Sequence, residues 1–402
     1  MRRADLRNGI VLLAVVGLAG CTAPADTAGP TSSPTSRWTS PPVPTPDPLP
    51  TGDEDDSDGS DDGKKDEDKD DKDDKDKDKE KDDDAGASAA GATPMPSWMT
   101  EPVAEAPECP AVTVPVGSAD ELQAALDDAA PGDVIGLADG VYAGEFVTGA
   151  SGTADQPIAL CGGRGAVLDG GGLKGGYALH LDGAQHWLLD GFTVRNAQKA
   201  VMADGTTGTT ISRLRVHHIG DEAIHLRRSS TDNLVTGNVI SDTGLRKPKF
   251  GEGVYVGTAE SNFCDVSDCE PDPSHRNRVV ANAIFATTSE AVDVKEGTDD
   301  GLIARNQLDG SALAGDADSW VDVKGRGWTI EDNVGRHSTA DGFQTHEIVD
   351  GWGTDNVFRG NSGELDSPEG FLVAPRPARD NVVECSNTLL TSVGGVAPDD
   401  CT

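Results

Sequence analysis

From about residue 209 onward, apolar positions recur on two scales. Within short runs they alternate with polar residues, as in Glu222-Ala223-Ile224-His225-Leu226-Arg227, which is the period-two signature of a strand with one buried face. On the longer scale the pattern repeats about every 24 residues. Segments 209–232, 277–300 and 355–378 have 24 residues, 301–327 and 328–354 have 27, and 233–276 has 44 because it carries an insertion. Each unit places Asn three or four residues after a β-branched residue: Val235 and Asn238, Val279 and Asn282, Ile303 and Asn306, Ile330 and Asn333, Val357 and Asn361. One Asn per turn in a fixed place is what stacked strands with bonded amides produce. Units this short are too small for propeller blades, so the pattern predicts an all-β right-handed parallel β-helix with three short strands per coil.

Ahead of the repeats, Ser118 to Glu121 form a capping box, and Leu122, Ala125, Leu126 and Ala129 share one helical face. A short N-terminal helix there would cover the open end of the solenoid, whose strand edges are otherwise unpaired.

The third strands of successive coils align without gaps from Glu222, Glu252, Glu290, Ser319, Asp341 and Glu369. Alternation turns Ile224, Val254, Val292, Val321 and Phe343 inward, so the polar positions between them face outward. One outward column reads His225, Tyr255, Asp293, Asp322, Gln344; the next reads Arg227, Gly257, Lys295, Lys324, His346. Neighbours in a column stand about 4.8 Å apart, one strand spacing. Lysines this close disfavour each other's charge, so at least one should titrate below a free lysine unless Asp293 and Asp322 cancel the effect. Glu222, Glu252 and Glu290 form a third column, and like carboxylates so near either take up protons or hold a cation such as Ca²⁺. Alternating Asp and Lys also occurs on any soluble β surface, and a turn-adjacent Glu also serves to bond backbone amides.

Charge changes the picture of partners. There are 70 Asp+Glu against 33 Lys+Arg, a formal charge of −37, which excludes nucleic-acid binding through a broad basic face. The composition of 49 Gly and 24 Pro, with 8 Phe, 6 Trp and 3 Tyr, fits a loop-rich β protein joined to unstructured chain. Arg2, Arg3 and Arg7 precede a short apolar run ending Leu18-Ala19-Gly20-Cys21, so residues 1–20 read as an export signal. The ending resembles the bacterial lipobox, which implies lipidation of Cys21 and a protein anchored by lipid to the outer face of the cytoplasmic membrane. Residues 21–108 read as a tether whose run 53–84 holds 20 acidic residues and 8 Lys, a net of −12. An uncharged chain of that length averages on the order of 50 Å end to end, and repulsion extends it. The folded domain is then 109–402, self-sufficient as a monomer. Six cysteines remain, an even number that fits three disulfides: Cys264 with Cys269, Cys385 with Cys401, and Cys109 with Cys161.

At Glu252, Glu290, Lys295 and Lys324 the sequence resembles the chondroitinase B and alginate lyase family of polysaccharide lyases. There, a calcium-ligating Glu precedes the catalytic Lys by five residues, as Glu290 precedes Lys295, and an Arg stands where Lys324 stands here. The resemblance implies β-elimination on an acidic, uronic-acid-containing polysaccharide, with Lys295 as base and Ca²⁺ on the Glu column. Lys324 and Arg227 would hold carboxylates, Tyr255 or His225 would protonate the leaving oxygen, and His346 would contact a neighbouring sugar. Asp293 and Asp322 would line the same strip. Two other readings stay open: a binding or surface-structural β-helix without catalysis, and a hydrolase of the polygalacturonase type using Asp293 and Asp322 as its carboxylate pair.

Overall fold

The computed structural model describes residues 91–402 except 392; the expected signal, Cys21 and the run 53–84 lie outside the described residues. Three parallel sheets of 11, 10 and 9 strands wrap a common core, and each coil gives one strand to each sheet. In one coil Thr210–Ser212 joins the first sheet, Arg215–Ile219 the second and Ile224–Arg227 the third. This is the expected parallel β-helix.

Inside the third sheet Ile224, Val254, Val292, Val321 and Phe343 are fully buried and lie beside one another in register. Each such side chain contributes about 1.5–3 kcal/mol on leaving water. The Asn column forms a continuous ladder: Asn238 Nδ2 donates to Asn282 Oδ1 (3.0 Å), Asn282 to Asn306 (3.0 Å), Asn306 to Asn333 (2.9 Å) and Asn333 to Asn361 (3.0 Å). Asn361 donates in turn to Asn387 (3.0 Å). Each amide also donates to a backbone carbonyl of an earlier coil, such as Asn306 to Val279, so these buried groups are satisfied.

Helix α1 (Ala119–Asp127) caps the solenoid as expected: Ser118 accepts from the Glu121 N–H, and Leu122 and Leu126 are wholly buried. The three disulfides pair Cys109 with Cys161, Cys264 with Cys269 and Cys385 with Cys401.

Two features differ from the sequence expectation. The last part of the expected tether, from residue 93, lies along the solenoid as a strap. Met99 is buried against Val239, Ala283 and Phe285, the Trp98 indole N–H donates to Asp309 (2.9 Å), and Glu105 pairs with Arg305 (2.5 Å). Met95, Trp98 and Met99 give this stretch an apolar surface that the acidic run before it lacks. The final coil is also shifted by two residues: Gln344 pairs with Ala374 rather than Leu372, and His346 with Arg376. Asp341 accepts the Phe371 N–H (2.7 Å), holding 367–371 in a turn, and Val373 then takes the inward place beside Phe343.

Candidate active site

The outward columns of the third sheet are packed rather than solvent-washed, and their His225 to Tyr255 end forms the floor of a cleft. Asp293 and Gln344 are almost wholly buried, and Asp322 and His225 nearly so. The insertion after residue 244 rises beside this floor, with a short helix at Phe263–Val266, and encloses a cavity of about 1080 Å³. Tyr177, Lys199, Glu222, His225, Glu252 and Tyr255 face it from the sheet.

The two lysines of neighbouring coils converge on one carboxylate. Lys295 Nζ lies 2.9 Å from Asp293 Oδ2 and Lys324 Nζ 3.0 Å from Asp293 Oδ1. Lys324 also meets Asp322 Oδ2 (2.7 Å), and Asp322 meets His346 Nδ1 (2.9 Å). Of the two outcomes expected for the lysine pair, cancellation by the aspartates is the one found. Burial works against each ammonium, but Asp293 with Glu296 holds Lys295 above the ordinary lysine range, and Asp293 with Asp322 does the same for Lys324. Burial likewise opposes the charge on Asp322, yet Lys324 and His346 keep it below the usual carboxylate range.

Tyr255 stands one strand spacing from Asp293, and Lys295 Nζ sits 5.0 Å from its ring centroid. Burial and the nearby Asp293 push its phenol well above the ordinary value, and its hydroxyl makes no hydrogen bond among the described residues. His225 packs edge-on to the same ring at 4.5 Å but is already committed. Its Nε2 meets the Gly257 carbonyl (2.9 Å) and its Nδ1 meets Glu222 (2.9 Å), so both ring nitrogens are occupied. Burial pulls that imidazole below its usual value and Glu222 works against the pull. Gly257 is required here: its φ is +91°, and a Cβ would come within 2.6 Å of Thr298 and 3.3 Å of Lys295.

The Glu column divides. Glu222 is neutralised by Lys199 (2.5 Å) and His225, which outweigh burial and hold it below the usual range. Glu252 and Glu290 make no ion pair among the described residues; burial, then Glu222 and Asp293 for the former and Asp293 for the latter, raises both. Glu252, Glu290 and Asp293 each offer an oxygen within 4.8 Å of the others, an arrangement that could hold a metal ion. Glu222, expected in that set, stands outside it.

Arg227 is spent on Asp204 (2.7 Å). Sequence reasoning missed Lys199, Asp204 and Glu296. The first two belong to the coil 199–204, which aligns in register with Glu222 to Arg227 and carries the same alternation, so extending the alignment one coil earlier finds them. Trp320 is core, donating from its indole N–H to the Arg336 carbonyl (2.9 Å), whereas Trp352 is half-buried under Arg326 (4.7 Å).

A parallel β-helix with a charged, walled cleft across one sheet defines a polysaccharide-active class, and comparison narrows it. The chain is similar to the crystal structure of an alginate lyase from Paenibacillus sp. strain FPU-7: 32% identity over 70% of this chain and 96% of that one, with a TM-score of 0.66. The chain belongs to the family of that enzyme and is a polysaccharide lyase by that kinship. A rhamnogalacturonan lyase structure (13% identity, 69% of this chain and 78% of that one, TM-score 0.54) shares the fold alone. No protein-family model and no curated protein matches the chain.

Proposed function

We propose that the protein cleaves a uronic-acid polysaccharide, alginate foremost, by β-elimination, with Lys295 as the base. The observation that carries this reading is the group Asp293, Lys295 and Lys324 packed against Tyr255 at the edge of the cleft, in a chain from an alginate lyase's family.

In this mechanism Lys295, having released its proton to solvent, takes the C5 proton of a uronate. The electron pair forms the C4–C5 double bond as the C4–O bond breaks, and Tyr255, whose ring lies 5.0 Å from Lys295 Nζ and whose hydroxyl makes no hydrogen bond among the described residues, supplies the proton to the leaving oxygen. Lys324 stays protonated between Asp293 and Asp322 and faces the charge that develops on the uronate carboxylate. His346, fixed by Asp322, reaches a neighbouring sugar. A calcium ion on Glu252, Glu290 and Asp293 fits the oxygen-only donor set, and when bound it would add positive charge beside that carboxylate.

The hydrolase reading loses support from the same contacts. A hydrolase needs one of its two carboxyl groups protonated, but Asp293 is bonded to both lysines and Asp322 is held ionised. The anchored location rests on Leu18-Ala19-Gly20-Cys21 and the acidic run, and a Cys21→Ser variant should leave the membrane fraction.

The test is ultraviolet absorbance during incubation with alginate, pectate, dermatan and glucuronan, with and without Ca²⁺. Elimination leaves an absorbing unsaturated uronate, greatest on alginate. New reducing ends without absorbance would establish hydrolysis instead, and neither signal would leave only binding.

A further inference from the structure

The cleft opens to one side of the lysine pair, and its cations are unequal. The floor runs from Tyr177 to Tyr255 across four coils, about 14 Å at one strand spacing per coil, room for a run of sugars rather than one. Lys199 and Arg227 on the floor are answered by Glu222 and Asp204, and Arg246 on the wall by Asp221 (2.5 and 2.9 Å). Lys247, next in the wall, makes no ion pair among the described residues although the chain has 70 acidic side chains for 33 basic ones. Its ammonium instead lies 5.4 Å from the Phe250 ring centroid, with Lys249 at 4.5 Å from the same ring. All three residues line the cavity.

The backbone beneath this group is fixed. The N–H groups of Arg246 and Lys247 donate to the Gly220 carbonyl (2.8 and 3.4 Å), and Thr288 donates to the Pro248 carbonyl (2.8 Å). An aromatic face flanked by ammonium groups on a pinned segment matches a uronate in both its parts. The apolar C–H face of the pyranose lies on Phe250 as the ammonium swings to the carboxylate.

We infer that Lys247 and Phe250 form a uronate-binding subsite on the cleft wall that holds a sugar other than the one being cleaved. The inference rests on the polyuronate reading above. Lys247 and Phe250 line the cavity floored from Tyr177 to Tyr255, and Lys295 and Lys324 are not among its lining residues, so the subsite stands apart from the base.

The experiment compares wild type with Lys247→Ala, Phe250→Ala and Lys247→Arg on alginate polymer, and measures binding of alginate oligosaccharides to each change in a Lys295→Ala background. KM and the dissociation constant should rise about fivefold for Lys247→Ala and Phe250→Ala, the worth of one exposed contact, with kcat changed less than about twofold. Lys247→Arg should restore binding, and the affinity of Lys247→Ala should depend less on salt than that of the parent. Unchanged KM and affinity in a wild-type protein that cleaves alginate would overturn the subsite alone. Absence of both cleavage and binding in the wild type on every polyuronate would overturn the polyuronate reading beneath it.

Discussion

The Asn ladder and the charged columns are built by the same device, one polar side chain per coil at the same spacing, yet they end in opposite states. In the ladder each amide both donates and accepts, so every member from Asn238 to Asn387 satisfies the next and the stack is neutral. On the third sheet the stack mixes carboxylates, ammonium groups, an imidazole and a phenol, and among the described residues it leaves Glu252 and Glu290 without an ion pair and Tyr255 without a hydrogen bond. A solenoid satisfies a repeated polar position easily, so a column whose buried carboxylates lack a countercharge marks where something other than the protein completes the charge balance.

The sharpest way to separate the two stacks is to remove one member of each. Lys295→Ala should lower kcat on the order of 10²–10⁴-fold while leaving the thermal midpoint near that of wild type, read by product absorbance and calorimetry. Asn306→Ala should do the reverse. It removes the acceptor of the buried Asn282 backbone and side-chain N–H groups and one of the two donors to Asn333 Oδ1, costing roughly 2–4 kcal/mol in denaturant unfolding, with kcat per folded molecule kept.

The pH dependence sharpens the contrast further. Carboxylates hold Lys295 above the ordinary lysine range, so the fraction able to accept a proton grows about tenfold per pH unit below that value. The initial rate should therefore climb into the alkaline range, and a plateau near neutrality would count against Lys295 as base.

The smallest effect concerns Glu252. Its folded-state pKa is raised, chiefly by burial, so its contribution to stability is present below the ordinary carboxylate value and is lost as pH rises through the raised one. Glu222 has the opposite shift and loses its contribution as pH falls. In chelator, Glu252→Gln should melt about 2 °C higher than wild type at pH 8 and equally at pH 4.

The coil architecture was legible because its periods are one-dimensional: alternation within a strand, about 24 residues between coils, and an Asn in each. The columns of Lys295 with Lys324 and of His225 with Tyr255 followed from that register and stand where alternation puts them. What the sequence could not supply was charge balance. Whether Lys295 is depressed or elevated depends on where Asp293 sends its two oxygens, and whether Glu222 joins Glu252 depends on Lys199 reaching it from the coil before. The strap was hidden for another reason: Met95, Trp98 and Met99 are three apolar residues in irregular chain, with no period to mark them.

The most direct test of the central claim follows unsaturated product from alginate in wild type, Lys295→Ala and Asn306→Ala side by side, at equal folded concentration and with oligosaccharide binding measured in each. Wild type and Asn306→Ala should generate the absorbing product at similar rates, while Lys295→Ala binds and generates almost none. Equal rates in wild type and Lys295→Ala would contradict the account, leaving the charged column no more catalytic than the ladder beneath it.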